Sequence, residues 1–204
     1  MEEPTKYKTI SSPATGDFRD RGSKFFAYAY PVNTSIEIKE KIHTLKKEHQ
    51  KAVHHCYAWR LGTDGNQFRA NDDGEPSGSA GKPILGQIDS MGLTNVLVVV
   101  VRYFGGSLLG VPGLINAYKT ATAQALETAP KTEKWIENLY YINFDYPAMG
   151  EVLYLLKQSE ATLYHQDLQL FCSILAGIPV KHSSEYVARL SEIRGVTVKE
   201  SGVE

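Results

Sequence analysis

Cysteine is scarce in this chain: 204 residues hold two, Cys56 and Cys172, separated by 116 positions. That spacing is neither CxxC nor a zinc-finger pattern, so a disulfide framework, a thioredoxin-like redox site and a structural zinc site all lack their signature. Reduced, buried thiols in a cytoplasmic protein are the expectation. No stretch approaches the roughly 20 apolar residues of a membrane-spanning helix, and no membrane partner is expected. Residues 1–13 carry acids and lysines but no apolar core, so they do not read as a secretory signal. Repeats and low-complexity tracts are missing. So are GxxxxGK[ST] and GxSxG, which leaves a nucleotide P-loop and serine-based catalysis without support. No catalytic residue, metal or other cofactor is assigned.

A charge excess of one sign is also lacking, since the net charge is −1. Its distribution is uneven. Residues 1–131 hold 16 Lys and Arg against 13 Asp and Glu, and residues 132–204 hold 6 against 10. The first part is only weakly basic, whereas a strongly basic domain is the usual footprint of nucleic-acid binding. Lys39, Lys41, Lys46, Lys47 and Lys51 crowd one segment, which reads first as a solvated helix face.

Two domains are expected, residues 1–131 and 132–204, of α+β class. In the first, the aromatic-rich stretch Phe25–Val32 reads as a strand. Thr34 to Glu37 forms a capping-box pattern. It opens a helix with Ile38, Ile42, Leu45, His49 and Ala52 on one stripe. Val53–Leu61 reads as a strand, followed by a loop at Asp64–Asn66. A second helix, capped by Ser79 or a neighbour, carries Ile84, Ile88 and Met91. Asn95–Val101 reads as a strand, and its run Val96–Val101 is continuously apolar and largely β-branched, as in a strand buried on both faces. A further helix is expected near Pro112, with small residues at 117, 121, 123 and 125 packing closely on the sheet. Pro130 and the polar run Lys131–Lys134 mark the boundary. Beyond it the order is strand Ile136–Tyr146, helix Ala148–Ser159, strands Ala161–Gln166 and Gln169–Ile178, helix Ser183–Ile193 and strand Val196–Lys199. That βαββαβ order predicts a ferredoxin-like domain.

Two glycine-rich segments carry the candidate chemistry. Arg69–Pro83 runs from an acidic turn into a Ser/Gly-rich helix start, where free backbone N–H groups and the helix dipole favour anions. Ser77, Ser79 and Lys82 add donors. The segment reads as an anion cradle or as an ordinary helix cap behind a turn. Asp72, Asp73 and Glu75 could ligate Mg²⁺, act as a base, or solvate the turn and pair with Arg69. The second segment, Arg102–Gly113, follows the buried strand, at the end of a strand where ligands of open sheets bind. Arg102 and Tyr103 at its mouth could contact a phosphate and stack on a base. Gly105 and Gly106 would let a backbone approach, or permit a tight turn. His54 and Cys56 face one side of their strand and His55 the other, which favours a core reading over a zinc site.

These residues resemble the YigZ/IMPACT family. The resemblance rests on Lys24-Phe25, His54 to Arg60, Asp72 to Gly81, Val101 to Gly106, Leu109-Gly110 and Gly113-Leu114, and spans about residues 17–128. The order of elements after residue 131 is similar to the small C-terminal domain of bacterial members. The resemblance implies a ribosomal-protein-like βαβ first domain, like domain IV of elongation factor G, and a second domain like domain V of that factor. It also implies a link to translation, since eukaryotic members regulate initiation. Much of their contact runs through an additional N-terminal RWD domain, for which the residues before Lys24 are too few.

The expected function is therefore a non-enzymatic regulatory protein linked to translation, contacting RNA or a ribosome-associated partner. Its binding residues would be Lys24, Arg69, Asp72, Asp73, Glu75, Ser77, Ser79, Lys82, Arg102, Tyr103, Gly105 and Gly106. Two alternatives stay open. One is an enzyme or binder for a phosphorylated small molecule or nucleotide, with the acids as base or Mg²⁺ ligands. The other is a protein-partner module docking through the second domain.

Overall fold

A run of six β-branched or leucine residues cannot sit on a solvated edge, and in this protein it forms the centre of a sheet. A computed structural model describes residues 4–202. Its strand β6 (Val96–Tyr103) is fully buried from Val96 to Val101. Around it lie β2 (Ala14–Asp20), β3 (Ser23–Pro31), β4 (His54–Leu61) and β5 (Gln67–Asn71), in the order β2-β3-β6-β4-β5. Every neighbouring pair is antiparallel. Burial of β6 on both faces therefore comes from helices on both sides.

Helix α1 (Ser35–Glu48) covers one face, where Ile38 and Leu45 meet Leu97, Val99 and Val101. Helices α2 (Gly81–Ser90) and α3 (Gly110–Thr128) cover the other, where Ile84, Ile88, Leu114 and Tyr118 meet Ala27, Cys56, Val98 and Val100. The small residues expected on α3 have a visible purpose. Ala117, Ala121 and Ala125 are fully buried, and a Cβ on Gly16 of β2 would lie within 3 Å of α3 backbone. The cap of α1 also forms: Thr34 Oγ1 accepts from Glu37 N at 3.2 Å, and the Glu37 carboxylate accepts from Asn33 N at 2.9 Å.

Four strands were not legible beforehand. These are β1 (Lys6–Ile10), β2, β5 and β7 (Lys131–Trp135). β1 and β7 pair as a two-stranded sheet, so the polar run Lys131–Lys134 is a strand.

The chain divides into two compact units, Tyr7–Lys134 and a second running from Trp135 onward with the chain's start up to Lys6. The second unit contains β8 (Glu137–Asp145), α4 (Met149–Gln158), β9 (Thr162–Leu168), β10 (Phe171–Pro179), α5 (Val180–Glu192) and β11 (Val196–Glu200). Its antiparallel sheet has the order β11-β8-β10-β9. Ile142, Ile174, Val152, Leu156 and Leu190 form its core. The fold is thus mixed α+β, with three sheets and five α-helices among the described residues.

Candidate binding crevice

Adjacent residues of a strand point to opposite faces of its sheet, and this decides the fate of Arg102 and Tyr103. Arg102 turns to the α2–α3 face. There it is directly paired across the sheet with Phe25 on one side and His54 on the other. Tyr103 turns to the α1 face, where its hydroxyl is 2.9 Å from His49 Nδ1. The two residues expected to contact a phosphate and a base together thus lie on opposite faces of the sheet. Lys24, opposite Tyr103, and Arg69, opposite Trp59, lie exposed on the Tyr103 face.

Arg102 is buried, with Nη1 donating to Glu75 Oε1 at 2.6 Å. The Tyr118 hydroxyl donates to the same oxygen at 2.7 Å. Cys56 Sγ continues the network, 3.2 Å from the Tyr118 hydroxyl and 3.0 Å from the Asp72 carbonyl. The Arg102 guanidinium lies near the rings of Phe25 and Phe104. Burial pushes the Tyr118 hydroxyl well above the usual phenol range, reinforced by Cys56 and Glu75. Burial likewise raises the Cys56 thiol. Both groups stay protonated at neutral pH, so they act as hydrogen-bonding members of the network.

The helix start expected to cradle an anion already holds one. Asp72 Oδ1 accepts from Ala80 N at 3.0 Å and Gly81 N at 2.8 Å, and Oδ2 accepts from Gly78 N at 2.9 Å. Burial alone would raise the Asp72 pKa, but these three bonds, with Lys82 nearby, outweigh it and hold it below the carboxylate range. The cap of α2 therefore comes from eight residues before Ala80. Ser79 does not cap; it is buried, and its hydroxyl donates to the Pro76 carbonyl at 2.6 Å. Asp73 faces elsewhere, accepting from His55 N at 2.7 Å and pairing with Lys46 at 3.4 Å. The three acids thus take three different sets of partners. Ser77 and Lys82 remain exposed near the first turn of α2.

Glycine in the second segment has a steric task. A Cβ on Gly105 would overlap the backbone of Gly22 and Ser23, so the turn after β6 packs against the β2–β3 hairpin. Gly106 follows at φ +86°, a conformation that favours glycine. That turn lifts Phe104 and Leu108 over the sheet end. Between them and the Glu75 segment opens a crevice of about 390 Å³, with Leu109, Val111 and Leu114 in its walls and His54, Glu75 and Arg102 at its polar end. Leu108 is 84% exposed, and Phe104, Val111 and Ile115 are exposed beside it. The two glycine-rich segments thus meet in one mostly apolar crevice.

Residue-by-residue reading missed His54, Phe104, Leu108 and Tyr118. The register was the missing signal: it places His54 directly beside Arg102.

The comparisons agree with this architecture. The family model for the Impact N-terminal domain matches residues 21–126. The IMPACT family member YigZ of Escherichia coli (strain K12) is 35% identical over 184 residues, covering 89% of this chain and 90% of that protein. The protein IMPACT homolog of Saccharomyces cerevisiae is 37% identical over 113 residues, 53% of this chain and 42% of that protein. Among solved structures, a crystal structure of a hypothetical protein is 30% identical, covers 99% of both chains and superposes with a TM-score of 0.75. The chain belongs to the IMPACT family.

Proposed function

We propose that this protein is a non-enzymatic regulatory binding protein linked to translation, and that its crevice takes part of a ribosome-associated partner. One observation carries the reading: a mostly apolar crevice with a buried polar end, bordered by the exposed apolar side chains of Phe104, Leu108 and Val111. Clusters of exposed apolar side chains mark interaction sites, and concave apolar sites with a few convergent polar groups are the usual form of a binding pocket. Family membership supplies the translation link, through the role of the eukaryotic members. A cytoplasmic location belongs to the same reading; no helix among the described residues is long and apolar enough to cross a membrane.

RNA contact is a separate element of the proposal. Lys24, Arg69 and Lys82 are exposed and suited to phosphates, whereas Arg102 is already neutralised by Glu75. Lys24 and Arg69 share the Tyr103 face, so RNA would lie there and leave the crevice to protein. The finer fold names are read the same way. The element order βαββαβ and the sheet order β11-β8-β10-β9 support a ferredoxin-like second domain. The family resemblance supports a ribosomal-protein-like first one.

Co-sedimentation with ribosomes at 50 and 200 mM salt tests the proposal. The wild-type protein is expected to sediment, and Leu108→Asp to lose at least about tenfold in affinity, since it puts a charge on an apolar contact. Contacts to RNA phosphates would add a steep salt dependence, with a log–log slope near −0.7 per phosphate on single strands. Absence of sedimentation at both salt concentrations would overturn the reading.

A further inference from the structure

The polar end of the crevice contains an acceptor with nothing to accept. Glu75 has a side chain only 3% exposed, yet both hydrogen bonds it receives, from Arg102 and Tyr118, end on Oε1. Among the described residues Oε2 receives none. Its close neighbour is His54 Nε2 at 3.9 Å, too far for a hydrogen bond. His54 Nδ1 lies 2.8 Å from the Asp73 carbonyl, which can only accept, so Nδ1 carries the proton. In the neutral ring Nε2 is then an acceptor too. Two acceptors facing one crevice at 3.9 Å suit a shared donor: a nitrogen about 2.8 Å from each fits between them. A full positive charge suits them better than a neutral N–H, because the carboxylate shares its charge with Arg102 through its other oxygen alone.

The walls define what must carry that donor. Leu109, Val111 and Leu114 match an unbranched aliphatic stem, of the kind lysine lays along apolar surface while its ammonium seeks polar partners. An anion is disfavoured, since it would sit beside the Glu75 carboxylate; Arg102 already donates through Nη1 to that carboxylate, and its Nε, which has no hydrogen-bond partner among the described residues, is buried. The exposed side chains of Phe104, Leu108, Val111 and Ile115 extend the apolar surface beyond the crevice, further than a small amine would cover. We infer that the crevice receives a lysine side chain of a protein partner, its ammonium bridging Glu75 Oε2 and His54 Nε2, with apolar neighbours of that lysine on the Leu108 rim. This inference rests on the reading of the crevice as a binding site for a translation-linked partner.

The test uses the full chain and three acetylated, amidated heptapeptides, Ala-Leu-Ala-X-Ala-Leu-Ala, with X as lysine, norleucine or glutamate. Affinities are read by NMR titration. The lysine peptide is expected to bind at least tenfold tighter than the norleucine peptide, and the glutamate peptide weakest of all. Glu75→Gln should make the lysine and norleucine peptides equal, and their retained binding would show that the variant folds. His54→Phe removes the second acceptor without disturbing the Arg102 pair, and should lower the lysine preference at least threefold. Equal binding of lysine and norleucine by the wild type, tighter binding of glutamate, or no binding of any peptide would each overturn the inference. Hexylamine binding as tightly as the lysine peptide would assign the site to small amines and overturn it too. Ribosome co-sedimentation of the same variants separates the two readings. Leu108-dependent sedimentation without a lysine preference removes the lysine and keeps the crevice, whereas a protein that does not sediment loses the translation-linked reading as well.

Discussion

Arg102 and Glu75 take opposite charges out of water side by side, and each removes the cost of burying the other. Breaking such a pair from one side leaves an uncompensated charge, at about 3–5 kcal/mol. Arg102→Met should therefore destabilise the protein by about that amount in urea denaturation. The double variant with Glu75→Gln should recover part of the loss, because the two side chains are coupled. Asp72 works differently, since its partners are backbone N–H groups at the start of α2. Asp72→Ala should cost about 1–2 kcal/mol at neutral pH, the scale of a lost N-cap. The pH dependence follows from its lowered pKa. The contribution is fully present above the unfolded value of about 3.9 and disappears as pH falls through the lower folded value. Denaturation midpoints of wild type and Asp72→Ala should thus converge in acid, and a constant gap down to about pH 2 would refute this role.

The turn joining β6 to α3 shows how far an element follows from its letters. Of the four glycines in residues 105–113, Gly110 and Gly113 belong to α3 and two lie in the turn itself, where Gly105 has a steric explanation. Gly105→Ala would drive a methyl into the β2–β3 hairpin, so it should destabilise by about 1–3 kcal/mol, read as a lower Tm. Elements with strong periodicity were legible: β6 from its unbroken apolar run, α1 from its cap and stripe, and all six elements after Trp135 from alternating strand and helix patterns. Strands β1, β2, β5 and β7 were not, because they are mostly polar, with few fully buried side chains. The candidate site was legible as two segments but not as an arrangement. Nothing local in the sequence says that Asp72 reaches the start of α2, or that Arg102 and Tyr103 part company across the sheet. Those facts belong to register and to contacts between distant residues.

On the scale of the whole molecule, each unit has hydrophobic packing of its own, two clusters on the two faces of the first unit's sheet and one in the second unit. The crevice is built only from residues 54–114, all in the first unit. Ile174→Ala should lower stability by about 2–5 kcal/mol in urea denaturation. It should leave the affinity for the lysine peptide unchanged, and an affinity change would show that the second unit shapes the crevice. The molecule also contains its own clock. Cys56 is sealed under Tyr118 and the Asp72 carbonyl, and burial keeps its sulfur protonated. An alkylating reagent can reach that sulfur only when the packing beneath the Glu75 segment comes apart. Its rate of modification at fixed pH would therefore count those openings, and a bound partner that clamps the segment would slow the count.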